Sequence, residues 1–578
     1  MEVEAGYIRK RRRLYRRGFA RGKGCGFLRR RGSHPPLPAR AFDDGVNRED
    51  IIQIRKEEGR GIAKAAGIIS LGNVTSRIFG LLRETVIAHL FGATGLVSAF
   101  TVVDNVLVML YDISVGGMVS SALVPVFSEY ISSERRDELW RISSLIFCLT
   151  ILSLSLVAIV LEVAAPVVAR LMVVGFEEEL LKETTRLLRI AAPAVVFMSL
   201  SGVIGGLLYT LKRFFYPAFT TAVLNAGIVL VAIIARGIGV SSLALGLLMG
   251  AALQVALQLP GLKGMRFSPS INLSHPGLRR ILSLYLPIVL GLLVSQVGIA
   301  IDRNLASRTG PRSIARMRFA TSLIQFPLGL ISVAVSTAIL PLLSQQLSTS
   351  QFRATLASGL RLVLFLILPA AVGLFVLSTP LVELLFEHGF FEAEDTTQTA
   401  LALRCYLLGL VFAAVDLPLV FAFYARKDTI TPAFVGVLGV GFYLAVALAL
   451  IRPLGMIGLV LANSAQLTCH ALAMIFLIRR RIGGLSGGGI ASTALKSLFA
   501  SMIMGGVAYL SLAWIRKSVD TSSLAGELAL VAGAGSVGLF VYLGMAAILR
   551  LEEVKLIEDM TWKVIAKLMP LTGKGKGI

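Results

Sequence analysis

AFVGVLGVGFYLAVALALI, Ala433–Ile451, runs nineteen residues without a charge. Coiled as an α-helix at 1.5 Å per residue, such a run spans about 28 Å, close to the roughly 30 Å hydrocarbon core of a bilayer. It lacks the apolar/polar alternation of a barrel strand, and so does LVLFLILPAAVGLFVL, Leu362–Leu377. Helices are therefore predicted rather than a β-barrel. Similar runs recur from Ala65 to Leu549 in a chain of 578 residues that is 55% hydrophobic and 16% charged. A mean hydropathy of +0.78 excludes an ordinary soluble domain. Counting runs long enough to cross gives about fourteen spans, near 66–92, 96–128, 140–172, 184–211, 215–235, 239–262, 278–306, 314–344, 355–384, 398–424, 432–451, 455–478, 494–514 and 526–549.

The formal charge of +23 is concentrated at the start: residues 1–40 hold thirteen Lys/Arg against Glu2 and Glu4. With no apolar periodicity, residues 1–60 read as a basic, disordered cytoplasmic tail drawn to anionic lipid; a reading frame begun upstream of the true first Met is the other explanation. The tail's aromatics, Tyr7, Tyr15, Phe19 and Phe27, are too few for a base-stacking platform, so no nucleic-acid partner is expected. The four cysteines are scattered, which argues against disulfides and zinc sites. No Walker motif, HExxH or nucleophile elbow appears, so an enzyme is not expected.

Basic residues punctuate the connections after even-numbered spans: Arg135, Arg136 and Arg141; Lys212 and Arg213; Lys263, Arg266, Arg279 and Arg280; Arg426 and Lys427; Arg479–Arg481. Connections after odd-numbered spans are short or acidic, as at Glu177–Glu179 and Glu387–Asp395. The positive-inside rule then places both termini in the cytoplasm. One connection disagrees, because Arg308, Arg312, Arg316 and Arg318 would face outward. An internal repeat is also visible: Lys212 opens KRFFYP and Lys427 opens KDTITP, each five residues before a proline that begins an apolar span. The predicted organisation is an all-α integral membrane protein with an N-lobe of six spans over 61–265 and a C-lobe of six over 266–482. Two further spans occupy 483–550 and a cytoplasmic tail 551–578. Two such halves can enclose a cavity exposed alternately to each side.

Several short motifs, in this order, resemble the MurJ/MviN family of lipid II flippases within the multidrug/oligosaccharidyl-lipid/polysaccharide exporter superfamily. They are SRIFGLLRETVIAHLFG (Ser76–Gly92), SALVPVFSEY (Ser121–Tyr130), LQLPGLKG (Leu257–Gly264), QFPLGL (Gln325–Leu330), AILPLLS (Ala338–Ser344), LLFEHGFFEAEDT (Leu384–Thr396) and FYARKDTITP (Phe423–Pro432). The resemblance implies a flippase in the bacterial inner membrane that moves a polyprenyl-pyrophosphate-linked peptidoglycan precursor, lipid II, from the inner to the outer leaflet by alternating access. It also implies no cofactor beyond a coupling cation or the membrane potential. The implied partners are lipid II and membrane lipids, with cell-wall synthesis proteins as further candidates.

The first span carries Asn73, Arg77, Arg83 and Glu84. A charge in a span costs at least about 2.5 kcal/mol on insertion scales, so these side chains are expected to face a wet cavity or a partner. Helical periodicity puts Asn73, Arg77 and Glu84 near one face and Arg83 on another. Two readings follow: a charge pair of Glu84 with Arg83 or Arg77 that only holds the bundle, or pyrophosphate recognition by guanidinium forks, the role the resemblance implies for Arg77 and Arg83. Arg303 and Gln325 join the substrate-binding candidates, and Asp104, Asp112, Asp302 and Asp416 are intramembrane acids suited to ion coupling. The chain departs from the family pattern in two places. Tyr111 and Asp112 stand at a basic pair in the second span, and Ala320, Thr321 and Ser322 stand where Ala-Asp-Arg is usual in the eighth. His89, Arg303, Arg316 and Arg318 are possible sources of the missing charge; for Arg316 and Arg318 an exposed loop is the competing reading. The rival functions are a cation-coupled drug exporter, a flippase for another polyprenyl-linked glycan, and a non-transporting envelope regulator.

Overall fold

A computed structural model describes residues 48–131, 136–268, 273–346, 348–484, 489–520 and 523–554, with side chains from 65 onward except at 120, 287 and 290. Met1–Lys64 forms one unit, helical in its backbone from Arg48, so the disordered tail expected over 1–60 is corrected from residue 48 on. The expectations for residues 1–47, Arg135 and 555–578 lie outside the described residues.

Ala65–Ile578 forms the second unit. Its spans are α1 (Ala65–Phe91), α2 (Gly95–Glu129), α3 (Arg136–Met172), α4 (Glu178–Ala191 with Ala194–Thr210), α5 (Thr220–Ile234), α6 (Ser241–Leu262), α7 (Pro276–Ser307), α8 (Ser313–Gln345), α9 (Thr349–Val376), α10 (Ala393–Ala425), α11 (Ile430–Leu454), α12 (Met456–Ile482), α13 (Ile490–Ser518) and α14 (Leu524–Ile548). Eleven are individually long and apolar enough to cross a bilayer, two more do so as bent segments, and α5 is a shorter apolar helix. The fold is thus the expected all-α bundle of about fourteen spans. The expected fifth span, 215–235, is interrupted: a four-residue turn, Phe215–Ala218, precedes α5 and places Pro217 before its start.

The repeat read from KRFFYP and KDTITP is a repeat of backbone geometry. Lys212 and Lys427 both adopt φ +60°, the left-handed region that few non-glycine residues enter. In each case the following N–H reaches back to close the turn, Arg213 to the Leu208 carbonyl at 2.8 Å and Asp428 to the Phe423 carbonyl at 3.0 Å. The next connections match as well, with Gly239 at φ +65° between α5 and α6 and Gly455 at φ +56° between α11 and α12. The pairing α5 on α6 recurs as α11 on α12, and α4 on α6 recurs as α10 on α12. The repeat-related spans α2 and α8 both contain π-helical turns, Asp112–Gly116 and Val119–Leu123 in one and Leu328–Val333 in the other. In α8 the turn follows Pro327, whose missing N–H frees a carbonyl from the ordinary ladder.

Two spans bend. α4 turns by 43° between Ala191 and Ala194, and α7 by 51° between Leu286 and Gly291. The first half of α7 packs against the N-lobe, where Tyr285 donates to the Ile113 carbonyl, while the second half meets α11, with Gly298 against Val440. The connections after odd-numbered spans gather at one end, called here the odd end. Phe390 N donates to the His89 carbonyl (3.2 Å), Gly175 N to Ser307 Oγ (3.0 Å), and Asn304 Nδ2 to the Leu171 carbonyl (2.8 Å).

Candidate functional site

Charge in a span must be neutralised or wetted, and α1 shows both outcomes. Near the odd end, Glu84 is 2% exposed and Arg318, from α8, is 7% exposed. The Arg318 guanidinium forks onto Glu84, Nε to Oε2 at 2.8 Å and Nη2 to Oε1 at 2.9 Å. Its Nη1 reaches Asp104 Oδ2 at 3.4 Å and Thr101 Oγ1 at 3.2 Å, both on α2, and its face lies over the Phe100 ring at 5.4 Å. Arg83 donates twice to the same Glu84 Oε1, at 3.0 and 2.7 Å, and lies 4.0 Å from Asp104. Two guanidinium and two carboxylate groups therefore form a neutral cluster that bridges the N-lobe (α1, α2) and the C-lobe (α8). Beside it, Ala315 N donates to Ser98 Oγ at 3.1 Å, a second bond from lobe to lobe.

Arg77 lies six residues nearer the opposite end, about 9 Å along the helix. Its Nη1 donates to Gln325 Oε1 of α8 at 3.3 Å. A Cβ on Gly329 would sit 2.8 Å from the Arg77 Cζ, Nε and Nη2, so the guanidinium rests on bare backbone in the π turn of α8. Asn73, one turn further along α1, and Gln325 are both exposed. Arg77, Asn73 and Gln325 thus line the gap between α1 and α8, where a planar cation with free donors can meet an anion.

The remaining predicted residues are dispersed. Arg303 lies 3.4 Å from Asp302, and Asp302 accepts a hydrogen bond from Tyr443 on α11. Asp112 accepts from Gln296 Nε2 at 3.3 Å, inside the α2 π turn. Asp416 of α10 meets His470 Nδ1 of α12 at 2.9 Å. Asp104 belongs to the inter-lobe cluster. His89 is exposed at the end of α1.

Two of the four arginines that disagree with the charge pattern are paired: Arg312 meets Glu392 at 2.7 Å, and Arg316 meets Asp395 at 2.7 Å and Glu394 at 2.9 Å, so the acids at the start of α10 neutralise them. Hydrogen bonding from Arg312, together with its charge, holds the Glu392 carboxyl below the usual carboxylate range. The loop reading of Arg316 and Arg318 is corrected: both lie on α8, Arg318 buried and Arg316 largely so. The facing on α1 is corrected too, since Arg83 and Glu84 join one cluster and Arg77 stands apart from Glu84. The link between Glu84, Asp104 and Arg318 was beyond sequence reasoning, although the eighth span, begun at 314, already enclosed Arg318.

A two-lobe helical bundle, joined by a buried charge cluster at one end and carrying polar side chains between α1 of one lobe and α8 of the other, defines a membrane transporter of the alternating-access class. The lipid II flippase MurJ family matches residues 87–529, and the chain belongs to it. Lipid II flippase MurJ of Burkholderia cenocepacia is 31% identical over 421 residues, 70% of this chain and 81% of that protein. The probable lipid II flippase MurJ of Thermotoga maritima is 28% identical over 486 residues, 84% of this chain and 96% of that protein. Among solved structures, a lipid II flippase MurJ in an inward closed conformation superposes with a TM-score of 0.71 at 25% identity, covering 84% of this chain and 99% of that one. An inward-facing multidrug resistance MATE family transporter of the MOP superfamily shares the fold, with a TM-score of 0.58 at 16% identity over 72% of this chain and 95% of that one.

Proposed function

We infer that this protein carries lipid II from the inner to the outer leaflet of a bacterial plasma membrane by alternating access, with both termini in the cytoplasm and the odd end facing outward. The observation that carries this reading is Arg77 between α1 and α8, a guanidinium within a span whose hydrogen bond goes to the neutral Gln325 at 3.3 Å, which leaves it without a charged partner and suits it to the pyrophosphate of a lipid-linked head group. The buried cluster at the odd end supports a conformation closed toward the outside. Arg318 also accounts for part of the altered charge pattern. It lies four residues before Ser322, where the family usually has arginine, hence on the same helix face about one turn nearer the odd end.

Transport is coupled to a cation or to the membrane potential, with no chemical conversion of the cargo. Among the four intramembrane acids, Asp416 has a titratable histidine as its partner and is the coupling candidate the geometry favours. Cell-wall synthesis proteins that consume lipid II at the outer surface are the expected protein partners. Expressing the chain in cells depleted of their own lipid II flippase tests the reading. Translocation of lipid II, followed by its accessibility to an outside enzyme, is expected to return; failure at normal membrane abundance rejects lipid II as cargo.

A further inference from the structure

At the odd end of the N-lobe, away from the α1–α8 gap, a groove of about 440 Å³ opens between α3 and the first segment of α4. Four cations line it, Arg170 from α3 and Lys182, Arg186 and Arg189 from α4, against one lining acid, Glu178. Glu178 lies 4.0 Å from Arg170 with both side chains about two-thirds exposed, which neutralises little in water. Arg186 has Glu183 at 3.6 Å, and Arg189 donates from Nε to the Glu162 carbonyl at 3.2 Å, leaving its terminal nitrogens for another acceptor.

The α4 sequence builds this face. Thr184, Leu187, Leu188 and Ala191 are buried, while Lys182, Arg186 and Arg189 recur at helical spacing on the other side. Depth follows from length. From Glu178 to Thr210 α4 would extend about 50 Å at 1.5 Å per residue, roughly 20 Å beyond a hydrocarbon core, so its first segment lies at the interface. On α3, exposed Leu156, Ile159, Val163 and Val167 form a lipid-facing stripe that ends at the turn holding Arg170. An acyl-chain surface therefore runs directly into a basic groove. The cations lie on α3 and α4 to either side of the acidic Glu177–Glu179, and the charge rule that sets topology gives no reason for them, because it disfavours basic residues on the outer side.

We propose that this groove binds the phosphate head group of an anionic phospholipid, with guanidinium groups from two spans on the phosphate and the acyl chains along Val163 and Val167. The full chain, purified in mild detergent with phosphatidylglycerol or phosphatidylcholine and examined by native mass spectrometry, is expected to retain phosphatidylglycerol under activation that strips phosphatidylcholine. The double variant Arg186→Gln/Arg189→Gln is expected to lose that retention about tenfold. Arg236→Gln, in the 5–6 connection at the same end, is expected to keep it. An unchanged thermal midpoint shows that the double variant is folded. Equal retention of the two lipids, or equal loss in the Arg236 variant, overturns the proposal. Displacement of phosphatidylglycerol by farnesyl pyrophosphate at lower concentration also overturns it, and assigns the groove to a polyprenyl pyrophosphate instead.

Discussion

Arg318 holds two carboxylates from the other lobe. Taking four charges out of water costs several kcal/mol per ion, which their mutual attraction recovers only while every fork is made. Replacing Arg318 by Leu leaves Glu84 and Asp104 sharing Arg83 alone, and breaking a buried pair this way costs about 3–5 kcal/mol. The thermal unfolding midpoint in detergent is expected to fall accordingly, with Arg318→Lys recovering only part of the loss, because an ammonium cannot fork onto Glu84. Gly329 offers a complementary test at the gap, where its missing Cβ makes room for the Arg77 guanidinium. Gly329→Val is expected to push that group aside and lower lipid II translocation as far as Arg77→Ala does, with membrane abundance unchanged in both. Full rescue by either variant would remove Arg77 from the binding site. The sequence made these charges conspicuous, since an arginine in an apolar span needs a reason. It did not reveal their partners. Glu84 and Arg318 are 234 residues apart, and long side chains swing across the helical faces that periodicity assigns to them.

At the scale of elements, the left-handed turns at Lys212 and Lys427 are the backbone trace of the repeat. A side chain in the left-handed region costs about 1–2 kcal/mol that glycine does not incur. Lys427→Gly, and equally Lys212→Gly, is expected to leave the midpoint unchanged or raise it by the equivalent of about 1 kcal/mol, once glycine's greater unfolded freedom is offset. Lys427→Val is expected to lower it, since a β-branched residue fits that region poorly. Equal effects of Gly and Val would show that the turn conformation carries no cost. The two hexapeptides and their prolines made the repeat legible, as length and hydropathy did the spans. The bends in α4 and α7 fall at prolines, Pro193 and Pro287, and the π turn of α8 follows Pro327, so a local signal was present, but apolar length alone joined the segments into single straight spans. α5 shows the same limit: the apolar run continued through Phe215–Ala218, while the helix is interrupted at Phe219.

For the whole molecule, the consequence is mechanical. The contacts that join the two lobes at the odd end include the Arg318 cluster, the Ser98–Ala315 bond, the contact of Phe390 with the His89 carbonyl and the bonds of Ser307 and Asn304 to Gly175 and Leu171, and the first three, between α1–α2 and α8–α10, must part if the gap is to open there. Opening would divide the neutral cluster into an N-lobe share with one surplus negative charge and a C-lobe share carrying Arg318 alone. Both shares tolerate separation only where water enters, so the open state is hydrated at this depth. A clamp across the seam should therefore stop transport without touching Arg77. Ser98→Cys/Ala315→Cys, in a background with the four native cysteines replaced, is expected to join in high yield with a short cleavable thiol cross-linker. The joined protein is expected to lose lipid II translocation and to regain it on reduction. Adding Arg318→Leu should lower the cross-linking yield, because a loss of about 3 kcal/mol from the closed state moves a two-state equilibrium by more than a hundredfold. Transport at the uncrosslinked rate with the lobes still joined would show that the odd end does not open during the cycle.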